Sequence, residues 1–222
     1  MSLIEIFIDK FRVKIREHIL NPIFSHSRRK LLNNRNFTII SNNCWGGHVY
    51  RYFGLTYDTP TIGLYFFSED YIKFVYNIRE YLSYDLTFIT YEESRYREIL
   101  EKRGGPNIMC PIGVLNDIEI IFLHYHSKEE ALTKWNRRKQ RIHWDNILYK
   151  MSEQNQCKLV HLKEFDNLPA TRKILFTSKD YRLKSQVIFN DFLGQEEVAN
   201  DTLHFRKYVD LIKWINGYDF KK

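Results

Sequence analysis

The chain has 222 residues, of which 44% are hydrophobic and 27% charged, a composition typical of a globular domain that builds its own core. Its formal net charge is +7 and its pI is about 9.2, which favours anionic partners such as phosphates, nucleotides or coenzyme A. We expect no nucleic acid partner, because the sequence has no zinc-finger spacing, no RNA-recognition signature and no basic tail.

Residues 3–20 are predicted to form an amphipathic helix, whose apolar stripe follows helical spacing at Ile4, Ile8, Phe11, Ile15 and Ile19. We expect Asn21-Pro22 to end this helix and 26–30 to form a basic connector, so that 1–34 precede one core domain of 35–222. Because Lys and Arg crowd the middle of the helix, it could make a peripheral contact with an anionic membrane. Packing on the domain or on a second subunit is the interpretation that we favour.

The stretch from Phe37 to Tyr50 is the most informative part of the chain. Phe37 to Ile40 predict a strand, and the polar residues 41–43 end it before a segment that can be helical from His48. Ligands of open α/β sheets bind beyond the carboxyl ends of strands. Gly46 and Gly47 would allow close approach of the backbone, and a helix N-terminus favours an anion. The stretch therefore predicts where a site lies, without naming its reaction.

Strand-like and helix-like segments alternate along the rest of the chain. We expect strands at 61–67, 86–90, 108–114, 117–125, 146–151, 173–177 and 186–189, and helices at 68–82, 92–102, 127–141, 158–165 and from 202 onward. Internal repeats and domain linkers are absent from the sequence. The alternation predicts a single α/β domain, a three-layer α/β/α sandwich with a mainly parallel or mixed sheet.

The sequence also favours an intracellular location. Its apolar runs are shorter than the ~18 residues that span a bilayer, and the N-terminus lacks the apolar core and cleavage site of a secretory signal. Cys44, Cys110 and Cys157 are odd in number and widely spaced, which indicates neither a disulfide framework nor a zinc ribbon. We therefore expect a cytoplasmic protein with reduced thiols, either fully soluble or peripheral to a membrane.

Several motifs together resemble a bacterial family of unknown function whose members usually carry the name exopolysaccharide biosynthesis protein. They are S-N-N-C-W-G-G-H at 41–48, P-I-G-V-L-N-D-I at 111–118, H-Y-H-S-K-E-E-A-L-T-K-W-N-R-R-K at 124–139, R-I-H-W-D-N at 141–146, and F-D-N-L-P at 165–169 followed by K-I-L-F-T. The resemblance implies a three-layer α/β fold and a role near capsule or cell-surface polysaccharide assembly. Asn43-Cys44 is also similar to the Asn-Cys dipeptide of a capsule-polysaccharide acetyltransferase family.

Cys44 and His48 are candidate catalytic residues. A thiol at a helix N-terminus is expected to have a lowered pKa and could carry an acyl group, with His48 one turn away as its base. The alternative is a small residue buried beside a tight turn. The loop as a whole could bind an anionic ligand through Asn42, Asn43 and the backbone of Gly46-Gly47.

His124 and His126 flank Tyr125 where a predicted strand ends, so both are expected on one face of the strand. One of them could be a general base, because the carboxyl ends of strands carry the sites of α/β proteins. A metal would need further ligands, and only scattered groups such as His143 and Asp145 are available. We therefore expect no metal site.

An aromatic and basic cluster follows in the next helix, at Trp135, Arg137, Arg138 and Arg141. Arg137 and Arg141 lie one turn apart and could clamp a diphosphate, while Trp135 could stack on a base or a sugar. The alternative is a solvated basic helix end that complements the helix dipole. We predict that Cys44, His124 and Arg137 meet at one site.

These observations favour an acyltransferase that uses coenzyme A thioesters and acts on a surface-polysaccharide precursor. A nucleotide-sugar-dependent glycosyltransferase fits the same preference for anions, although the sequence lacks a D-x-D metal motif. A non-catalytic module that binds glycans or lipid carriers is the third interpretation. The oligomeric state is not indicated by the sequence.

Overall fold

A computed structural model describes residues 11, 14–104 and 110–221, and it has helices on both faces of a parallel sheet. The strands are β1 Thr38–Ser41, β2 Thr87–Ile89, β3 Ile112–Leu115, β4 Ile118–Ile121, β5 Ile147–Ser152, β6 Lys173–Thr177 and β7 Gln186–Ile188. The α-helices are α1 Asn21–Lys30, α2 Trp45–Phe53, α3 Ser68–Tyr76, α4 Ile78–Ser83, α5 Arg97–Lys102, α6 Lys128–Lys139, α7 Leu159–Asn167, α8 Asp201–His204 and α9 Leu211–Asn216.

The main sheet contains four parallel strands in the order β1-β5-β6-β7, which confirms the predicted mainly parallel sheet. β1 is buried along its whole length, and β6 is buried after its first residue, as expected for strands covered on both faces. On one face, Trp45 of α2 packs edge-on against Phe176 of β6 and Trp214 of α9. On the other face, Tyr71 of α3 stacks on Phe165 of α7. The predicted three-layer α/β arrangement is therefore present.

A second, antiparallel sheet of β2, β3 and β4 lies beside the main one, and the prediction of a single sheet missed it. Asn116 has a φ of 53°, the left-handed conformation that a tight two-residue turn between β3 and β4 requires. The predicted strand at 117–125 is too long, because the chain turns after Ile121 through hydrogen bonds such as Tyr125 N–H to the Phe122 carbonyl. The predicted strand at 61–67 is wrong apart from Tyr65, which forms a single bridge to Ile121.

The N-terminal helix continues past its predicted end. A π-helical turn at Arg16–Leu20 runs directly into α1, so the predicted stop at Asn21-Pro22 and the predicted connector at 26–30 are wrong. Pro22 lies in the first turn of α1, directly after the π-helical turn, so its missing N–H falls where the hydrogen-bond spacing of the helix changes. Most of the predicted segment at 3–20, residues 3–10, 12 and 13, lies outside the described residues.

Three other predicted helices are shorter than expected. The segment at 68–82 divides at Asn77 into α3 and α4, and the segment at 92–102 is helical only over α5. The C-terminal segment divides into α8, a 3₁₀ turn and α9, where Asp210 caps α9 by accepting from Ile212 N–H. By contrast, the predicted cap of α6 is confirmed, because Ser127 Oγ accepts from Glu130 N–H at 3.1 Å. In the part of the chain that the structure describes, every helix is too short or too polar to cross a bilayer.

Candidate functional site

A cleft opens where β1 and β5 end, and it consists of two cavities that share Cys44, His48 and His124. We name them cavity A, of about 490 Å³, and cavity B, of about 460 Å³. Cavity A is lined by Asn43, Cys44, His48, Tyr65, Arg103, Cys110, Leu123, His124, Gln154, Asn155, Ala199, Asn200, Asp201 and Thr202. Cavity B is lined by Cys44, Gly47, His48, Arg51, Tyr57, Ile62, Gly63, His124, Tyr125, Lys134 and Arg138. The location matches the expectation that ligands bind beyond the carboxyl ends of parallel strands.

Cys44 occupies the N-cap position of α2, and its thiol donates to the Leu64 carbonyl at 3.6 Å. Burial, followed by the nearby Asp201 carboxylate, raises its pKa to about 12 against the opposing charges of Lys150 and Arg51. The expectation that the helix N-terminus lowers this pKa is therefore wrong. A buried thiol with a raised pKa stays neutral and is a weak nucleophile.

His48 lies one turn into α2 and is held by Glu17 of the π-helical turn. Its Nδ1 donates to the Glu17 carboxylate, and Arg51 Nη2 donates to the same oxygen at 3.2 Å. Burial alone would raise the pKa of Glu17, but the hydrogen bond and charge of His48, reinforced by Arg51, hold it at about 2. Because Nδ1 is engaged, Nε2 is the His48 nitrogen left for a ligand.

His124 is an exposed residue at the junction of the two cavities, and its backbone N–H donates to the Gly63 carbonyl at 2.9 Å. Partial burial lowers the pKa of its imidazole, and the positive charges of His48 and Arg51 lower it further. A neutral imidazole at the mouth of a cleft can accept a proton.

His126 does not share the environment of His124. Because β4 ends at Ile121 and the chain turns, the two side chains do not extend from one strand face as predicted. His126 lines a separate cavity beside 89–91 and 110–112, and its N–H donates to Glu130. The structure therefore brings His124, and not His126, to Cys44 and His48.

The basic helix α6 directs Lys134 and Arg138 to the cleft, and not the expected pair Arg137 and Arg141. Arg138 is buried, donates to Tyr125 Oη at 2.5 Å and lies over the Tyr57 ring, and it lines cavity B together with Lys134. Arg137 and Arg141 are exposed and are not among the residues that line cavities A and B. The prediction that Cys44, His124 and Arg137 meet is wrong in its third member, because neighbouring helical residues point about 100° apart.

Trp135 belongs to the core, where its ring is 1% exposed and packs edge-on against Phe122. In this conformation it offers no face to a nucleotide base or a sugar. Its spacing in α6, four residues after Ala131, is that of an apolar helix stripe.

The side chains of Asn42 and Asn43, in the loop after β1, form hydrogen bonds with other residues of the chain. Asn42 is buried and exchanges two hydrogen bonds with the backbone of Ser152, which ties β1 to β5. A Cβ on Gly46 would lie 3.4 Å from Ile39 and one on Gly47 3.6 Å from Ile62, which are ordinary van der Waals contacts, so the packing of α2 does not by itself require glycine at either position. Asn43, which precedes the N-cap residue, accepts at Oδ1 from Trp45 N–H at 3.1 Å, so it bonds the first N–H of α2.

Lys150 and Asp201 form a buried ion pair beneath cavity A that sequence reasoning missed. Lys150 Nζ donates to the Asp201 carboxylate and, at 2.8 Å, to Asn43 Oδ1, while Ser152 Oγ donates to Asp201 at 2.5 Å. Burial lowers the pKa of Lys150 to about 8, against the charge of Asp201. The one signal in the sequence is a lysine within the strand I-L-Y-K-M-S.

The far end of cavity A is formed by Arg103 and Asn155, which sequence reasoning also missed. Arg103 follows α5 and donates to Asn155 Oδ1 at 2.8 Å. Asn155 and Gln156 have φ values of 57° and 60°, which are uncommon for residues other than glycine. Local strain of this kind often accompanies functional loops.

A constellation of three or more His, Cys, Asp or Glu side chains suited to a metal ion is absent from residues 11, 14–104 and 110–221. The cleft instead combines a neutral thiol, two histidines and cationic side chains from α2, from α6 and from Arg103, which follows α5. Such a set can bind an anion and move a proton without a metal.

The fold and cleft define an α/β protein with a cationic site at the carboxyl edge of its parallel sheet. A family model, the domain of unknown function DUF1919, matches residues 15–216, and the chain belongs to this family. An uncharacterised protein of Haemophilus influenzae is 32% identical over 197 residues, which cover 85% of this chain and 88% of that protein. The family assignment confirms the resemblance to a family of unknown function.

Proposed function

We propose that the protein is an acyltransferase that moves an acyl group from a coenzyme A thioester to a hydroxyl of a surface-polysaccharide precursor. The observation that carries this proposal is the position of His124, an imidazole with a lowered pKa, in a cleft walled by Arg51 and Arg138. A neutral base and a cationic wall are what transfer from a phosphorylated donor to a hydroxyl requires.

Cavity B holds the donor phosphates in this proposal. Arg51, Lys134 and Arg138 reach it from two helices, and Arg51 Nε is buried without a hydrogen-bond partner among the described residues. A buried donor without an acceptor costs free energy, which a phosphate oxygen would recover. The cleft thus favours a donor with several negative charges.

His124 acts as the general base. It accepts the proton of the acceptor hydroxyl as that oxygen attacks the thioester carbonyl, so a C–O bond forms and the C–S bond breaks. The proton then passes from His124 to the departing thiolate of coenzyme A. Transfer is direct, because the neutral Cys44 thiol is poorly suited to carry the acyl group. His48, oriented by Glu17, hydrogen-bonds the substrate from the opposite wall.

Isothermal titration of the full chain with coenzyme A, acetyl-CoA, UDP-sugars and CMP-sugars tests the donor assignment. We expect acetyl-CoA to bind and the Arg138→Gln variant to bind it at least ten-fold more weakly, while Arg137→Gln binds like the wild type. Binding of nucleotide sugars alone would replace acyl transfer with glycosyl transfer. Failure of all these ligands to bind would favour a non-catalytic glycan-binding module.

The two histidines provide the test of catalysis. Mass spectrometry of glycan acceptors incubated with acetyl-CoA should show acetyl transfer that His124→Ala lowers by about 10²-fold or more. His126→Ala, which alters a separate cavity, should transfer at the wild-type rate. Loss of transfer in His126→Ala with retention in His124→Ala would refute the assignment of the base.

A further inference from the structure

Over residues 11 and 14–31, the helical segment near the N-terminus turns its apolar side to solvent. A helix on the surface of a globular protein normally buries its apolar stripe. Over the π-helical turn and α1 the reverse holds, because Ile19 is 53% exposed and Ile23 is 63% exposed. Other large apolar side chains on this stretch are also exposed, namely Phe11, Leu20, Phe24 and Leu31. We call residues 11 and 14–31 the docking helix.

The inner side of the docking helix is polar, which explains how it is held without burying those side chains. Asn21 and Ser25 are its buried residues. Arg28 donates to the Tyr52 carbonyl at 3.1 Å, and Arg29 donates to the Phe53 carbonyl at 3.0 Å, so hydrogen bonds attach the helix to the end of α2. The apolar side is therefore free to meet a surface outside the molecule.

The charge of the docking helix indicates which surface that is. Residues 14–31 contain five Lys and Arg residues and one acidic residue, Glu17. Glu17 is directed inward to His48, and the three arginines of this stretch donate to carbonyls of the domain. The charged side chains that remain exposed are Lys14 and Lys30. The outer side thus combines apolar side chains with positive charge and shows no carboxylate, which matches the interface of a bilayer with anionic headgroups.

We propose that the docking helix lies in the interface of an anionic lipid bilayer. A second copy of the chain is a poorer occupant. A two-fold contact brings the same surface of both copies together, so the positive charges of Lys14 and Lys30 would repel those of the partner copy. The helix is also joined to the cleft, since Glu17 bonds His48 and Arg16 donates to the Thr202 carbonyl at 3.2 Å. A consequence that rests on the proposed function is that the acceptor is presented at the membrane.

Vesicle flotation of the full chain tests the proposal. We expect it to bind phosphatidylcholine vesicles that contain phosphatidylglycerol, to bind pure phosphatidylcholine weakly, and to dissociate at high salt. The double variant Ile23→Ser with Phe24→Ser should lower the partition coefficient by about ten-fold or more. A matched control, Leu159→Ser with Val160→Ser, removes side chains of similar exposure from α7 and should leave binding unchanged.

Equal partition of the two double variants, or no binding of wild type to anionic vesicles, would overturn the proposal. A third result would also overturn it: light scattering that shows a dimer for the wild type and for the control variant, but a monomer for the Ile23→Ser with Phe24→Ser variant. The apolar side would then be covered by a second copy of the chain. Circular dichroism melts establish that both variants are folded. Titration of the protein with acetyl-CoA in the absence of vesicles tests the proposed function separately. A protein that binds acetyl-CoA but not vesicles would contradict the membrane proposal alone.

Discussion

Lys150 and Asp201 form an ion pair whose side chains are 0% and 2% exposed, and it joins the centre of the sheet to the wall of the cleft. Lys150 lies in β5, and Asp201 begins α8 beside Asn200 and Thr202, which line cavity A. Asn43 and Ser152 complete the hydrogen bonding of the pair. The wall of cavity A is thus fixed to the sheet by buried charge.

Removing one partner should destabilise the fold strongly. We expect Asp201→Ala to lower the free energy of unfolding by about 3–5 kcal/mol, because it leaves the Lys150 amine in the interior without its carboxylate partner. Urea denaturation measures the change. Glu69→Ala, which removes an exposed partner of Lys73, should cost less than about 1 kcal/mol.

A double variant separates the ion pair from the volume of its side chains. Asp201→Leu combined with Lys150→Met replaces both charges with apolar groups, and its loss should be smaller than the sum of the two single losses. Additive losses would mean that the two charges act independently.

The sequence predicted the elements that depend on local pattern. β1, β5 and β6 appear where short apolar runs were found, because buried parallel strands need apolar side chains on both faces. The strands depend on the local pattern alone. Cys44 and His124 do line the same cavities as expected, although His124 lies beyond a turn and not at the end of a strand.

The parts that were missed depend on contacts between distant residues. Nothing near Lys150 in the sequence indicates Asp201, because the two are 51 residues apart and meet only after β6, β7 and α8 are in place. The choice of Arg138 over Arg137 depends on the rotation of α6, which a pattern sets only to within a residue or two. The pKa of Cys44 was mistaken because its burial was not visible in the sequence.

The pKa of Glu17 predicts a loss of stability in acid. Between about pH 4.5 and pH 2 the unfolded chain binds a proton at Glu17 that the folded protein does not bind, so the free energy of unfolding falls as the pH falls. Glu17→Gln should lower stability at pH 7 by on the order of 2 kcal/mol, once solvent screening of this half-buried group is taken into account, and should match the wild type only below pH 2. Urea denaturation across this range checks the convergence, and a constant difference would contradict it.

Arg51 should control the proton affinity of His124. Three causes lower the pKa of His124: burial is the largest, the charge of His48 is the second, and the charge of Arg51 is the third. We therefore expect Arg51→Gln to raise that pKa, as followed by NMR titration of the imidazole ring protons. Arg137→Gln removes an exposed arginine outside the cleft and should leave the pKa unchanged. An unchanged pKa in Arg51→Gln would show that Arg51 does not act on His124.

Cys44 should react slowly with electrophiles, because burial and the Asp201 carboxylate hold its pKa at about 12. At pH 8 we expect iodoacetamide to modify Cys44 at least ten-fold more slowly than free cysteine, since the thiolate is the reacting species. Peptide mass spectrometry measures the rate, and labelling in urea provides the control in which the thiol is exposed. Asp201→Asn keeps the volume of the side chain and removes one charge that raises this pKa, so it should accelerate modification of Cys44. Rapid labelling of the wild type would restore Cys44 as a candidate nucleophile and the acyl-thioester route with it.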